Sequence, residues 1–532
     1  MHASVEQSPT RSKASDAGSE GEGGDKAEIA RLDFVSLELS HSGSHTGHVH
    51  DATEYAPEPP KERPSFGSMY EDGPWENKAL LSLDGGGVRG LSSLLILKRL
   101  MERIGEHEQQ LNKYARSSSH SPFFGTPTTK ERRKTGSDEY FSNDWLPCHY
   151  FDYIGGTSTG GLIAIMLGRL RMNIDDAIAE YKELCKNVFE KPSSRLKRFW
   201  NNYNGMARRQ ELETRFENMA VRRPSRSPSE EREQFRSDPG RCSTIVCSIR
   251  SAGNGPLKEP FLFRSYDHHG TEYRTEDESI IVLEPRPSNP DQSFMIWEVA
   301  QAVSAAPSVF KPIALPRGNG NFYDGGVNMN NPSWLLLREV LHRADQSNEN
   351  LDILLSIGGG NARAKSSKKQ GRRVIALLED SVSYSDYAAQ RVRKESINRH
   401  FRYHRLDVEP GFQDVRLDEW KPKESGKTTV QRIEQQTEEY LKRPRVAQEC
   451  KDIAQRLAEA RISRSQTIRW ESFAAGIRYT CKVPGCPLKP NLFSDRNQLM
   501  DHLRMQHGKS SPDSEHYKDI EKLLNDGRID SG

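Results

Sequence analysis

The sequence predicts an α/β domain built on a mainly parallel sheet, on three observations. The apolar run "ALLSL" leads through the glycines of "DGGGVRG" into a helical repeat, with Leu91, Leu94, Leu95, Met101 and Ile104 on or near one face. "YFDYIGGTSTGGLIAIMLGRL" repeats that order of strand, glycine-flanked turn and buried helix. Apolar strand candidates then follow at 243–249, 260–266 and 351–357, several of them separated by helical patterns. Alternating strands and helices of this kind form sheets with helical cover.

Bulk composition limits the function classes. The chain has 532 residues, enough for a large core and more than one folded unit, but only 34% are hydrophobic. Globular segments diluted by disordered ones are expected. Its net charge of +2 balances 77 basic against 75 acidic side chains, so no global field favours nucleic acid or an anionic membrane. No run of about 18 apolar residues exists, so no membrane span is expected. The first 30 residues lack the apolar core of a signal peptide. Seven cysteines in so long a chain fit a reducing compartment better than a disulfide framework. Together these imply an intracellular chain, cytoplasmic rather than secreted, and at most peripheral at a membrane.

Composition also sets the boundaries. Residues 1–76 are rich in Ser, Gly, Glu, His and Pro and read as disordered, with His41, His45, His48 and His50 taken as part of a solvated tract. Ordered pattern runs through 77–365, interrupted by polar insertions near 115–138 and 222–240. Residues 366–475 read as a mostly helical extension, 477–508 as a small separate module, and 509–532 as a C-terminal tail.

The glycines of the first turn allow two readings. Gly85, Gly87 and Gly90 satisfy the G-x-G-x-x-G spacing of dinucleotide sites. Such a site needs an acidic residue about 20 positions later, at the end of a second strand. Glu102, Glu106 and Glu108 fall within or just beyond the helix instead, and a polar insertion follows. The alternative is that the loop presents backbone N–H groups to an oxyanion.

Gly156-Thr157-Ser158-Thr159-Gly160 is a G-x-S-x-G match placed directly between strand-like and helix-like runs, the setting of a nucleophile elbow. Glycines on either side let neighbouring backbone come close. A serine needs a base. His342, His400 and His404 lie downstream, but none is set in a glycine-rich turn after a strand. Asp324 in "FYDGGVNMNNP" is better placed, at the tip of a strand ahead of Gly325 and Gly326, where a carboxylate could take the serine proton and return it to a leaving group.

The three segments DGGGVRG, GTSTG and DGG together resemble the patatin-like phospholipase family, over about residues 78–360. "IWEVAQAVSAAPSVFKPI" is similar to the family's alanine-rich helix and proline turn, and "LPCHYFDYIGGTSTGGLIAIMLGRLRM" and "PFLFRSY" resemble fungal members. Gly359 departs from the threonine expected there, outside the reacting groups. The resemblance implies a three-layer α/β/α fold and a Ser–Asp dyad, with Ser158 as nucleophile and Asp324 as proton acceptor. It implies an oxyanion hole at Gly85, Gly86 and Gly87 with Arg89 alongside. The implied activity is calcium-independent hydrolysis of phospholipid or other glycerolipid acyl esters through an acyl-enzyme, with no cofactor for catalysis. An acyltransferase using the same dyad, or a zinc-finger adaptor whose hydrolase domain is inactive or secondary, are the alternatives.

The small module carries a different chemistry. Cys481 and Cys486 are separated by four residues, His502 follows after fifteen, and His507 after four more. Two thiolates and two imidazoles suit tetrahedral zinc. Phe493, Leu499 and His502 keep the core spacing of a ββα finger, so the module resembles a C2H2 zinc finger with a widened loop. DNA readers of this class usually act in series. One finger with only Arg496 and Arg504 as helix cations therefore points to protein contact or a structural cap rather than DNA.

Overall fold

The computed structural model describes residues 73–530, apart from 112–116, 119–144, 190–200, 222–232, 252–258, 268–272, 275–279, 282–292, 307–311, 345–349, 361–371, 421–427, 488–491, 510–515 and a few isolated positions. The histidine-rich N-terminal tract and most of both polar insertions lie outside the described residues.

In chain order the elements are α1 (Gly73–Glu76), β1 (Asn77–Leu83), α2 (Gly90–Leu111), β2 (Tyr153–Thr157) and α3 (Thr159–Ala164), continued by a π turn over Ile165–Arg169. α4 (Ile174–Phe189), α5 (Asn201–Val221), β3 (Ser243–Ser251), β4 (Glu259–Arg264), the short pair β5 (Tyr273–Arg274) and β6 (Ile280–Ile281), and α6 (Ile296–Val303) follow. Next come β7 (Ile313–Leu315), β8 (Gly320–Asp324), α7 (Ser333–Ala344), β9 (Asn350–Ile357), α8 (Arg372–Asn398), β10 (Arg402–Leu406), α9 (Thr429–Leu441) and α10 (Pro444–Ser465). The C-terminal module holds β11 (Ile477–Thr480), β12 (Leu492–Phe493), α11 (Arg496–His507), α12 (His516–Asp526) and β13 (Arg528–Asp530).

β1 is buried along its whole length except Asn77, as a strand covered on both faces must be. Its alternate residues serve different cores. Ala79, Leu81 and Leu83 join a cluster with α2, α3, α4 and α6, whereas Leu80 joins one with Leu336, Leu337 and Val340 of α7 and Ala388 and Val392 of α8. The period-2 geometry of a strand thus divides the apolar side chains between two helical layers. The result is a three-layer α/β/α arrangement around a mixed, mostly parallel sheet.

Among the described residues that sheet has eight strands, in the order β10-β9-β1-β2-β3-β8-β7, with β4 also on β3. The pairs from β10 to β3 are parallel, and those of β3 with β4, β3 with β8 and β8 with β7 are antiparallel. β4 occupies one edge of β3 from Ile245 to Arg250. A strand has only two edges, so β2 and β8 must share the other. β2 pairs up to Cys247, and β8, running the opposite way, ends with Asp324 opposite Ser248. The C-terminal ends of β2 and β8 therefore meet head to head.

Residues 366–475 carry α8, α9 and α10, and a strand beside these helices. They supply β10, which extends the main sheet beyond β9. "RYHRL" escapes a hydrophobic-pattern reading because an edge strand tolerates charge, and charge there discourages edge pairing. α10 opens with Pro444, whose missing N–H costs nothing at a helix start, and α9 opens with a reciprocal Thr428–Gln431 capping box. Buried residues of both helices, Ile433, Tyr440, Ile453 and Leu457 among them, join the same core as α2. Glu108 of α2 pairs with Arg461 of α10 in a nearly fully buried bidentate contact, and Tyr150 donates to the same carboxylate at 3.2 Å. In the C-terminal tail, 509–532, α12 packs Ile520 and Leu524 against Leu499 and Leu503, and β13 pairs with β11.

Removing one partner of a buried ion pair strands the other charge. Arg461→Met is expected to destabilise the chain by about 3–5 kcal/mol, read as a lower denaturation midpoint in urea. A loss below about 1 kcal/mol would show that α10 is not part of the cooperative core.

Candidate active site

Ser158 stands at the C-terminal end of β2 with φ +52°, a left-handed conformation rare for a residue with a side chain. The elbow is tight. A Cβ on Gly156 would lie 2.3 Å from the Gly160 carbonyl oxygen, and one on Gly160 would lie 2.4 Å from the carbonyl oxygens of Leu83 and Asp84. No larger residue fits either position. Ser158 precedes α3 without capping it, so its hydroxyl is directed elsewhere. Its Oγ donates to Oδ2 of Asp324 at 2.7 Å.

Asp324 is the last residue of β8 and 5% exposed. Its Oδ1 accepts the Gly326 N–H at 2.7 Å. Gly325 abuts the end of β2 so closely that a Cβ there would lie 2.6 Å from Thr157 Oγ1. Burial pushes the Asp324 carboxyl up to about 6, against the Ser158 and Gly326 donors that favour its charged form. The site thus holds a serine hydroxyl hydrogen-bonded to a partly desolvated carboxylate. Such a pair can act as nucleophile and base.

The glycine loop between β1 and α2 lies over the elbow. The Gly85 N–H donates to the Asn330 carbonyl at 3.0 Å, and the Gly86 N–H to Thr159 Oγ1 at 3.1 Å. Gly87 adopts φ +53°, and its carbonyl accepts the Tyr181 hydroxyl at 2.5 Å. Its N–H has no acceptor among the described residues. Of the four residues expected to line an oxyanion hole, Gly87 alone presents an uncommitted backbone donor.

Arg89 is 8% exposed, and its guanidinium donates to the carbonyls of Val415 and Gly360. The sequence placed it correctly in the loop but could not show that its long side chain finds those carbonyls outside the motif. Asp84, 0% exposed, is engaged by both terminal nitrogens of Arg405 at 2.9 and 2.6 Å. Three contributors were not foreseen: Thr159 and Asn330, which take up loop N–H groups, and Arg405. The first two lie inside stretches already singled out, but nothing in their spacing reveals their partners.

The second cluster lies in the C-terminal module. One donor atom from each of Cys481, Cys486, His502 and His507 lies within 4.8 Å of the others. Cys481 Sγ is 3.4 Å from His507 Nε2, Cys486 Sγ is 3.4 Å from His502 Nε2, and the two Nε2 atoms are 3.2 Å apart. Tetrahedral zinc, with bonds of about 2.3 Å to sulfur and about 2.0 Å to nitrogen, sets its ligands roughly 3.3–3.8 Å apart. The donor set suits that ion, and both sulfur–nitrogen spacings fall within that range. The module is joined to the larger domain through Glu471, which accepts from Tyr479 Oη and from Arg528 Nε at 2.6 Å.

Residues 81–337 match the family described as patatin-like phospholipase, so the chain carries a patatin-like phospholipase domain. It is 24% identical over 294 residues to human "Calcium-independent phospholipase A2-gamma", covering 53% of this chain and 28% of that protein. It is 25% identical over 327 residues to "Probable inactive patatin-like protein 9" of Arabidopsis thaliana, covering 57% of this chain and 68% of that one. It also aligns with VipD from Legionella pneumophila at 12% identity and a TM-score of 0.27, over 86% of this chain and 81% of that one. That last likeness is too low to bear on the fold. The chain spans little more than a quarter of the length of the human relative. Among the described residues no helix is long and apolar enough to cross a membrane.

Asp324 carries a stability consequence with a definite sign. Its folded value of about 6 lies above the ordinary 3.8, so the folded state holds the extra proton between those values, and stability falls as pH rises through that window. Asp324→Asn mimics the neutral form. It is expected to raise stability at pH 8 by at most about 3 kcal/mol, read as a higher thermal midpoint, and to match wild type near pH 4. A less stable variant at pH 8 would show that the carboxylate is not held at a cost.

Proposed function

We propose that the chain is a lipid acyl hydrolase of phospholipase A type, acting on acyl esters of phospholipids or other glycerolipids. The observation that carries this reading is the 2.7 Å hydrogen bond from Ser158 Oγ to Asp324. It forms on a positive-φ elbow beneath a glycine loop, within a patatin-like domain.

In the first step Ser158 Oγ attacks the ester carbonyl while Asp324 takes its proton. The tetrahedral oxyanion is stabilised by the Gly87 N–H and by that of Thr159, which as the first residue of α3 has no acceptor in its own helix. Collapse expels the alcohol, protonated by Asp324, and leaves an acyl-serine. Asp324 then activates water, which releases the fatty acid and restores the serine. Each half uses the same proton acceptor, so calcium has no role in this reading. The names of relatives such as the human "Calcium-independent phospholipase A2-gamma" support it. The plant relative named as inactive keeps the adaptor alternative open to test.

In the same reading Cys481, Cys486, His502 and His507 hold a structural zinc ion that fixes β11, β12 and α11. Asp495 spends its side chain capping the Gln498 N–H, and Arg496 donates to Asn525 of α12 at 3.1 Å. Two side chains at the start of that helix are thus engaged within the module, which favours a cap or protein contact over base reading.

Phospholipid vesicles with product analysis test the hydrolase. Wild type is expected to release fatty acid equally with and without a calcium chelator, and Ser158→Ala and Asp324→Asn to lose at least about a thousandfold in rate. Below pH about 6 the value of kcat/KM should fall, about tenfold per pH unit, as Asp324 takes up its proton. Ester release by Ser158→Ala at the wild-type rate would overturn the reading, and acyl transfer to an added alcohol would redirect it. For the module, metal analysis is expected to find about one zinc per chain in wild type, and less in Cys481→Ser. Equal metal in both would remove zinc from these residues.

A further inference from the structure

The glycine loop is gripped at both ends by one segment that lies beyond the family-matched residues 81–337. At its start, Asp84 accepts both terminal nitrogens of Arg405. Arg405 also donates to Asp407 Oδ2 at 2.9 Å and to Ser356 Oγ at 2.7 Å. Asp407 Oδ1 in turn accepts the Gly360 N–H at 2.8 Å, and its own N–H donates to Tyr440 Oη at 3.2 Å. At the loop's far end, the Val88 N–H donates to the Leu417 carbonyl at 2.9 Å, and Arg89 Nε to the Val415 carbonyl at 2.8 Å. The approach at Gly87 is close enough that a Cβ there would lie 2.1 Å from the Leu417 carbonyl oxygen.

Between these anchors lie three glycines, the most permissive backbone there is. Left to itself, a run of that kind samples many orientations of its N–H groups. Catalysis by an oxyanion donor depends on its being aimed before the charge develops. Asp84 has no exposed surface, so its fork-to-fork contact with the planar guanidinium fixes direction as well as distance.

We propose that Arg405 is a positioning residue for the oxyanion donor. Through Asp84 and Asp407, together with the carbonyls of Val415 and Leu417, the 405–417 segment fixes the direction of the Gly87 N–H. The extension is on this account a working part of the site. The proposal rests on the hydrolase reading for its consequence, but its geometric half stands without it.

The test measures kcat and KM on a soluble ester, and amide hydrogen exchange by mass spectrometry, in the full-length chain. Removing one oxyanion donor outright lowers kcat about 10²–10³-fold, so a misaimed one is expected to cost about tenfold to a hundredfold. Arg405→Gln should show that loss with KM within about twofold, and Arg405→Lys should recover part of it, since it keeps the charge without the fork. Exchange should quicken in the peptide covering residues 84–90 and stay unchanged in the one covering 153–157. Asp84→Asn/Arg405→Gln removes both buried charges and should repeat the pattern if the single variant fails to fold. Unchanged kcat, a rise in KM alone, or faster exchange throughout the sheet would overturn the proposal. A wild type without turnover would sink the hydrolase reading instead, leaving exchange to decide: loosening confined to 84–90 supports the brace, and uniform loosening removes it.

Discussion

Ser158 and Asp324 are 166 positions apart in the chain, and the division of one edge of β3 between β2 and β8 brings them within 2.7 Å. β2 runs parallel to β3 and stops at Cys247. β8 runs antiparallel and arrives at Ser248 from the other side. Because β4 holds the opposite edge, neither strand can move to the other side of β3. Their ends must face each other, and small residues are required where they do.

Much of the surrounding structure can be understood as support for that junction. A left-handed serine and a buried carboxylate are each unfavourable by themselves. They persist because the strands that carry them lie between two apolar layers and cannot relax. The helices of the C-terminal extension contribute to both layers, α8 to one and α9 and α10 to the other, and its buried Glu108–Arg461 pair ties α10 to α2, the helix that follows the glycine loop. Chain beyond the family-matched residues is therefore continuous with the core that shapes the site.

Sequence pattern reveals this unevenly, for physical reasons. Strands covered on both faces, such as "ALLSL" and "STIVCSI", announce themselves as apolar runs, and glycine turns mark where they end. The residue types of a Ser–Asp pair are legible in the same way, because each sits in a glycine-bounded turn that few other roles demand. β10 is not legible, since an edge strand of "RYHRL" composition carries its charges toward partners far away in sequence. β13 is hidden for a similar reason: three residues set their register only against β11. Arg89 shows the limit most plainly. Its position in the loop follows from the motif, whereas the carbonyls it contacts, including Val415 326 residues away, come from tertiary structure alone.

A fluorophosphonate reacts at an activated serine, so peptide mass mapping of its adduct reads the dyad directly. The account predicts one adduct, on the peptide containing Ser158, and none in Ser158→Ala. An adduct on a different serine, or an unmodified wild type, would contradict it.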